Sequence, residues 1–226
     1  MNPTRSDTIA RLAQLVCSCD LDHPTRVAVD GITACGKSTL ARELTIAVGA
    51  FGRPTIHLSM DGYHHPREYR RRKGQLSAEG YYDDAYDFPA FVSGVLIPLG
   101  PGGDRRYQGR IIDLASNEPT DDPILIAPND AVLIVDGTFL QRAEIASHWD
   151  HRIFVNTSFE VALSRGLARD TPLLGGAAAA GAAYEARYHA AARLYIEAVH
   201  PADSATIVVD NDNLESPRLH IQSADS

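Results

Sequence analysis

The sequence predicts an α/β domain with a mainly parallel five-stranded sheet flanked by helices, and three observations carry that prediction. Five short apolar runs, at 26–30, 54–60, 131–136, 151–156 and 205–209, alternate with segments of helical periodicity. A glycine-rich turn joins the first of these runs to the helix that follows it. The composition is that of a globular chain: 226 residues, 44% hydrophobic and 22% charged, enough to bury a core and too apolar for a disordered chain or a fibre. One domain spanning 1–226 is the expectation.

Taken in order, Ile9, Leu12, Ala13, Leu15 and Val16 recur at helical spacing and predict an amphipathic helix over about 4–19. Arg26 to Asp30, between Pro24 and Gly31, reads as a buried parallel strand. Residues 38–49 read as a helix with Leu40, Ala41, Leu44 and Val48 on one face, and 54–60 as the second strand. Asp61 to Asp87 is rich in Tyr, Arg, His and Asp, reads as too polar for core, and opens a substrate-binding insertion over about 61–123. Within it, 88–98 suits a helix and 100–123, rich in Gly, Pro and Asp, suits loops or a small hairpin. Strands at 131–136 and 151–156, helices at 158–169 and 182–199, and a last strand at 205–209 complete the pattern. The Gly/Ala run from Gly175 to Ala183 reads equally as a flexible loop or as part of a lid.

Charge excludes some functions. With 21 Lys+Arg against 29 Asp+Glu the formal net charge is −8, so general binding of nucleic acid or of an anionic membrane is not expected. A phosphate must be met in a local pocket. Cys17, Cys19 and Cys35 are too few for a disulfide framework, and Cys17 and Cys19 lack a second ligand pair at zinc spacing. Met1 to Asp7 is polar, without the apolar stretch of a signal peptide, and no apolar run approaches a membrane span. The chain reads as cytoplasmic, and a homo-oligomer is left open.

The chemistry concentrates in Gly31-Ile-Thr-Ala-Cys-Gly36-Lys37-Ser38, a full match to the phosphate-binding loop pattern, between a strand and a helix as that loop requires. Glycines let the backbone wrap a phosphate, N–H groups and the helix start supply positive potential, Lys37 reaches the β- and γ-phosphates, and Ser38 can ligate Mg²⁺. The nucleotide set is Gly31, Thr33, Ala34, Cys35, Gly36, Lys37, Ser38 and Thr39. Asp136, ending Val132-Leu-Ile-Val-Asp136, stands where a carboxylate holds Mg²⁺ or its water, or else caps the next segment. Asp61, also at a strand end, should lie beside the γ-phosphate, where a carboxylate can take the proton of an acceptor hydroxyl. ATP and Mg²⁺ are the implied cofactors. Arg70-Arg-Arg-Lys73 reads mainly as a solvated face with one arginine towards substrate.

The phosphate loop, Asp61-Gly-Tyr63, Asp83-Asp-Ala-Tyr-Asp87 and Leu163-Ser-Arg165-Gly-Leu-Ala-Arg169-Asp170 together resemble the phosphoribulokinase/uridine kinase group of P-loop kinases, over about 26–213. The resemblance implies the P-loop kinase fold, places the catalytic base on Asp61, and places ATP-contacting lid arginines on Arg165 and Arg169, in a lid over about 165–183. Departures stand beside it. The acid that holds the ribose hydroxyls in uridine kinases falls on Tyr81 or Tyr82, the pyrimidine-reading pair retains at best Tyr107, and the lid is Gly/Ala-rich. Asp61-Gly-Tyr-His-His-Pro66 also looks like bacterial pantothenate kinase. The expected acceptor is a hydroxyl of a small metabolite, a nucleoside first and a pantothenate-like or sugar-like alcohol second. Tyr63, His64, Asp83, Asp84, Tyr107 and Arg110 are expected to form its pocket, unless Asp83 and Asp84 are exposed turn residues. A nucleotide-dependent switch is the reading from another class.

Overall fold

The structure, a computed structural model, describes residues 3–222. Met1 and Asn2 of the polar start lie outside the described residues. Helix α1 (Arg5–Cys17) begins at a capping box in which Thr4 and Asp7 satisfy one another's backbone N–H groups. It leads to β1 (Thr25–Gly31), α2 (Lys37–Ala50) and β2 (Thr55–Ser59). Short helices follow: α3 (Arg67–Arg70), α4 (Ala78–Asp84) and α5 (Phe88–Phe91), the last running into a π turn at Val92–Leu96. Two-residue strands β3 (Arg106–Tyr107) and β6 (Leu125–Ile126) pair with each other, and β4 (Ile112–Asp113) pairs with β5 (Glu118–Pro119) as a small hairpin.

The chain then returns through β7 (Val132–Gly137), β8 (His151–Asn156), α6 (Phe159–Asp170) and α7 (Ala177–Ala183). A π turn at Tyr184–His189 joins α7 to α8 (Ala190–Val199), and α9 (Pro201–Ser204), β9 (Ile207–Asp210) and β10 (Arg218–Ile221) end the fold.

The main sheet has the order β10-β9-β8-β1-β7-β2. The five expected strands are all present and parallel, and the sixth, β10, is antiparallel to β9. β10 was not expected because Arg218-Leu-His-Ile is a short polar-alternating edge without the continuous apolar run of a buried strand. Period-two alternation sorts β1 and β7 between two cores. Val27, Val29, Val132 and Ile134 pack with Leu12, Leu40 and Leu44 under α1 and α2. Ala28, Leu133 and Val135 pack on the opposite face with Tyr63, Phe91, Phe139 and Tyr195. The segment from Asp61 to Asp87 therefore does supply core: Tyr63, Tyr81, Ala85 and Tyr86 are buried. Aromatic rings bury their faces while their hydroxyls find partners, which residue polarity alone does not reveal. Among the described residues no helix is long and apolar enough to cross a membrane.

Candidate active site

The carboxyl ends of β1, β7 and β2 lie side by side, and a cleft of about 380 Å³ opens above them. The turn from Gly31 to Gly36 forms one wall. A Cβ on Gly31 would meet Cys35 Sγ at 2.6 Å and Val155 O at 2.8 Å, so only glycine fits this close approach. Gly36 has φ +98°, in the left-handed region that favours glycine, and opens α2. The Cys35 carbonyl accepts from Asn211 Nδ2 at 2.8 Å and Thr157 Oγ1 at 3.2 Å, which ties the loop to its scaffold. Beneath it Asp30 is fully buried and accepts from Gly31 N, Gln141 Nε2 and the Tyr195 hydroxyl. Burial pushes its pKa up and these donors oppose the rise. Lys37 and Thr33 face the cleft, and Lys37 Nζ donates to Ile32 O at 3.2 Å.

Ser38 Oγ donates to Asp136 Oδ2 at 2.6 Å, and His57 Nε2 lies 2.9 Å from Oδ1. Burial pushes the Asp136 carboxyl up, but the hydrogen bonds from His57 and Ser38 and the charge of Lys37 outweigh it, so the pKa is held below the usual aspartate value. An ionised carboxylate touching a hydroxyl is an all-oxygen donor pair. It fits a hard divalent cation that takes its remaining ligands from water and phosphate. His57, which sequence reasoning missed, stands on β2 opposite Ile134, two residues before the strand's end, and the parallel pairing of β2 with β7 brings it to Asp136.

Asp61 follows β2 on a single turn of 3₁₀ helix and faces Lys37 across the cleft. Its side chain is 65% exposed, yet it sits low between the walls, and this partial desolvation raises its pKa. Lys37 pulls the value back and Asp136 pushes it further up. His64 Nε2 is 3.7 Å from Asp61 Oδ1, while His64 Nδ1 is buried without a hydrogen-bond partner. Burial and the nearby charges of Arg70, His65 and Arg187 lower the His64 pKa to about 3. The tyrosine hydroxyls of Tyr81 and Tyr86 meet Thr138 Oγ1 at 3.3 and 3.1 Å on the cleft floor.

The remaining expected residues are distributed differently. Arg169 lines the cleft, paired with Asp170 at 2.6 Å. Arg165 is held by Asn211 O and Asp212 O at 2.9 and 2.8 Å and lines an adjoining, less polar cavity with Gly36, Thr39 and Leu214. Of the six acceptor residues, only His64 lines the cleft. Tyr63 is fully buried and its hydroxyl donates to Gln108 O at 2.7 Å; burial raises its pKa to about 12. Tyr107 is buried in β3, and Arg110 pairs with Asp122 at 2.8 Å. Asp83 and Asp84 pair with Lys73 and Arg72, each at 2.6 Å. In the basic run both Arg70 and Arg71 line the cleft, where one arginine was expected; Arg67, Arg187 and Tyr188 join them.

A model of the phosphoribulokinase/uridine kinase family matches residues 27–211. No curated protein sequence matches the chain. Among solved structures, a candidate uridine kinase from Bacillus stearothermophilus superposes with TM-score 0.71 at 19% identity, covering 91% of this chain and 98% of that one. A candidate fructose transport system kinase from Silicibacter sp. TM1040 gives 0.71 at 25% identity, covering 84% and 94%. The D-glycerate 3-kinase of Cryptococcus neoformans var. grubii gives 0.50 at 12% identity, covering 88% of each chain, a likeness of fold alone.

Proposed function

The chain belongs to the phosphoribulokinase/uridine kinase family and is an ATP-dependent small-molecule kinase, and from that premise we propose how its own residues divide the work. The acceptor hydroxyl oxygen attacks the γ-phosphorus of ATP, the bond to the β–γ bridging oxygen breaks, ADP leaves, and Asp61 takes the hydroxyl proton. Lys37 and the turn from Gly31 to Gly36 hold the phosphates. Ser38 and Asp136 would hold Mg²⁺, which supplies charge neutralisation at the phosphates when bound. The less polar cavity beside Arg165 and Leu214 suits the nucleoside half of ATP, and Arg169 stands between the two cavities. The reaction is assigned to the cytoplasm.

The observation that carries this reading is the Ser38–Asp136–His57 chain beside Lys37, with Asp61 facing it across one cleft. A switch needs no such acceptor-side base. For the acceptor, we place a sugar-like or pantothenate-like alcohol ahead of a nucleoside. The carboxylates expected in the acceptor pocket, Asp83 and Asp84, are engaged by Lys73 and Arg72, and the likeness to a candidate fructose transport system kinase leans the same way. The test is transfer of radiolabelled γ-phosphate from ATP to a panel of nucleosides, sugars and hydroxy acids. Acceptor-dependent ADP release is expected; release that ignores every acceptor would return the chain to the switch class.

A further inference from the structure

Two stretches outside the segment shared with the family, helix α1 and the turn after β9, reach the less polar cavity of about 370 Å³ beside the phosphate loop. Arg5, the first residue of α1, lines it, and so do Leu214 and Glu215 on the turn. Arg5 is an unusual choice for its place. The first turn of a helix favours acidic side chains, as Asp7 provides here, and the helix dipole opposes a cation. A surface arginine would also be left in water, whereas this side chain is 19% exposed. Its contacts, and not the stability of α1, account for it.

The guanidinium joins three segments. On one side it forms an ion pair with Glu43 of α2 at 2.7 Å. On the other, Nη1 donates to Asn211 Oδ1 and to Leu214 O, each at 3.2 Å. Asn211 is fully buried directly after β9, and its Nδ2 donates to the Cys35 carbonyl of the phosphate loop at 2.8 Å. A donor at its oxygen and a carbonyl at its nitrogen fix the orientation of this amide. The backbones are tied as well: Arg5 N donates to Glu215 O at 2.9 Å, and Thr8 Oγ1 to Pro217 O at 2.8 Å. Residues 211–217 belong to neither β9 nor β10, so such contacts set the shape of the turn. Without Arg5 the Cys35 carbonyl keeps Asn211 and Thr157 as donors. Among the described residues Leu214 O has Arg5 as its sole donor.

We propose that Arg5 is a positioning residue for the phosphoryl donor, holding the Leu214 turn beside the phosphate loop so that the cavity between them takes the nucleoside half of ATP. The inference rests on the kinase reading, and it makes a helix outside the family segment a part of the donor site. Arg5 touches no reacting atom; it acts through Leu214 and Asn211. Leu214, 43% exposed, offers an apolar side chain suited to the flat face of a base. The phosphates are held separately, by Lys37 and the turn from Gly31 to Gly36. Loss of Arg5 therefore falls on the nucleoside and spares the phosphates.

The test compares two ligands that share a diphosphate and differ in the nucleoside: ADP and inorganic pyrophosphate, each titrated with Mg²⁺ into the full chain. ADP is expected to bind the unaltered protein more tightly than pyrophosphate by about tenfold or more. Arg5→Gln should raise the Kd of ADP about tenfold while that of pyrophosphate stays within about twofold. The KM for ATP should rise with the ADP Kd, and kcat at saturating ATP should hold. Arg5→Lys keeps a charge for Glu43 but lacks the fork that meets Asn211 and Leu214 together, so it should lose ADP affinity with Tm preserved. Glu43→Gln breaks the ion pair and leaves Nη1 in place, so ADP affinity should survive it. Equal losses for ADP and pyrophosphate in Arg5→Gln, or a lower Tm with ADP affinity unchanged, make Arg5 a structural tie and overturn the inference with the kinase reading intact. ADP bound no more tightly than pyrophosphate by the unaltered protein removes the nucleoside cavity and overturns the inference as well. Binding of neither ligand overturns the kinase reading itself.

Discussion

At the nucleotide end of the cleft, Asp136 sits on a main-sheet strand and Lys37 and Ser38 open the helix that follows the turn after β1, whereas at the acceptor end the side chains come from connections. Gly31 ends β1, and Asp136 is the penultimate residue of its parallel partner β7. Arg70 and Arg71 sit at the end of a four-residue helix, and Arg187 on a π turn more than a hundred residues further along. The first set is placed by sheet register. The second is placed by tertiary packing and by which carboxylates have been taken by other cations. Strand ends thus fix the chemistry that any phosphoryl donor requires, and the connections leave the acceptor's identity free to vary.

If Asp61 belongs with the strand-end machinery, removing its charge should give the largest effect in the molecule. Asp61→Asn keeps the shape but cannot take a proton, so kcat should fall by about 10²–10⁴ with the KM for ATP little changed. The acid limb of the rate profile should carry the same signature. The base must be ionised, and its pKa is raised above the ordinary aspartate value, so activity falls as pH drops through a point above 3.8. His64, lowered to about 3, stays neutral in that range and contributes no step there. A limb that persists in residual Asp61→Asn activity would assign it elsewhere. A loss confined to KM would move Asp61 to positioning.

Lys37→Ala comes next, at about 10²–10³ in kcat/KM, since it removes one preorganised cation from the phosphates. Measured affinity for ATP should fall with it, whereas acceptor affinity should not. Activity retained within about tenfold, or ~1.4 kcal/mol, would break the assignment of the nucleotide end.

Why one end was legible and the other was not follows from these origins. Gly31, Gly36, Lys37 and Ser38 are recognisable because one local turn needs them all in fixed order, and β1 and β7 stand out because burial on both faces makes them near-continuously apolar. Tyr63 and Tyr107 were expected to lend aromatic faces to the pocket, but their rings went into the core and their placement was decided by packing. Asp83 and Asp84 carry the right chemistry for a sugar, and nothing local says that Arg72 and Lys73 turn back to meet them. Arg187 lies in a stretch that reads as plain amphipathic helix; only the π turn directs it to the cleft.

A smaller effect tests the coupling of α6 to the π turn that follows α7. A Cβ on Gly166 in α6 would stand 2.1 Å from Cζ of the fully buried Tyr184, the first residue of the π turn that carries Arg187. Gly166→Ala should therefore overpack this contact and cost about 1–3 kcal/mol, read as a lower Tm. If Tyr184 shifts to make room, the π turn moves with it, and acceptor KM should rise more than ATP KM. An unchanged Tm would show that the contact between α6 and Tyr184 is loose.

The smallest effect is the sharpest division between site and scaffold. Asp84 is 3% exposed at its side chain and accepts two hydrogen bonds from Arg72, at 3.0 and 2.6 Å. Asp84→Ala removes a buried carboxylate and leaves its pocket unfilled, so Tm should fall while acceptor KM stays put. Asp83 pairs with Lys73 at 2.6 Å, but both side chains are about two-fifths exposed, and such surface pairs contribute little to stability. Asp83→Ala should therefore change neither Tm nor acceptor KM beyond error. The two variants also separate the readings of the acceptor. A carboxylate that gripped a sugar hydroxyl would leave that hydroxyl without its charged partner, and acceptor KM would rise about tenfold on its removal. A rise of that size in Asp83→Ala, with Tm unmoved, would return this carboxylate to the substrate and favour a neutral polyol as acceptor. No rise leaves Lys73 and Arg72 as the reason these two acids face away from the chemistry.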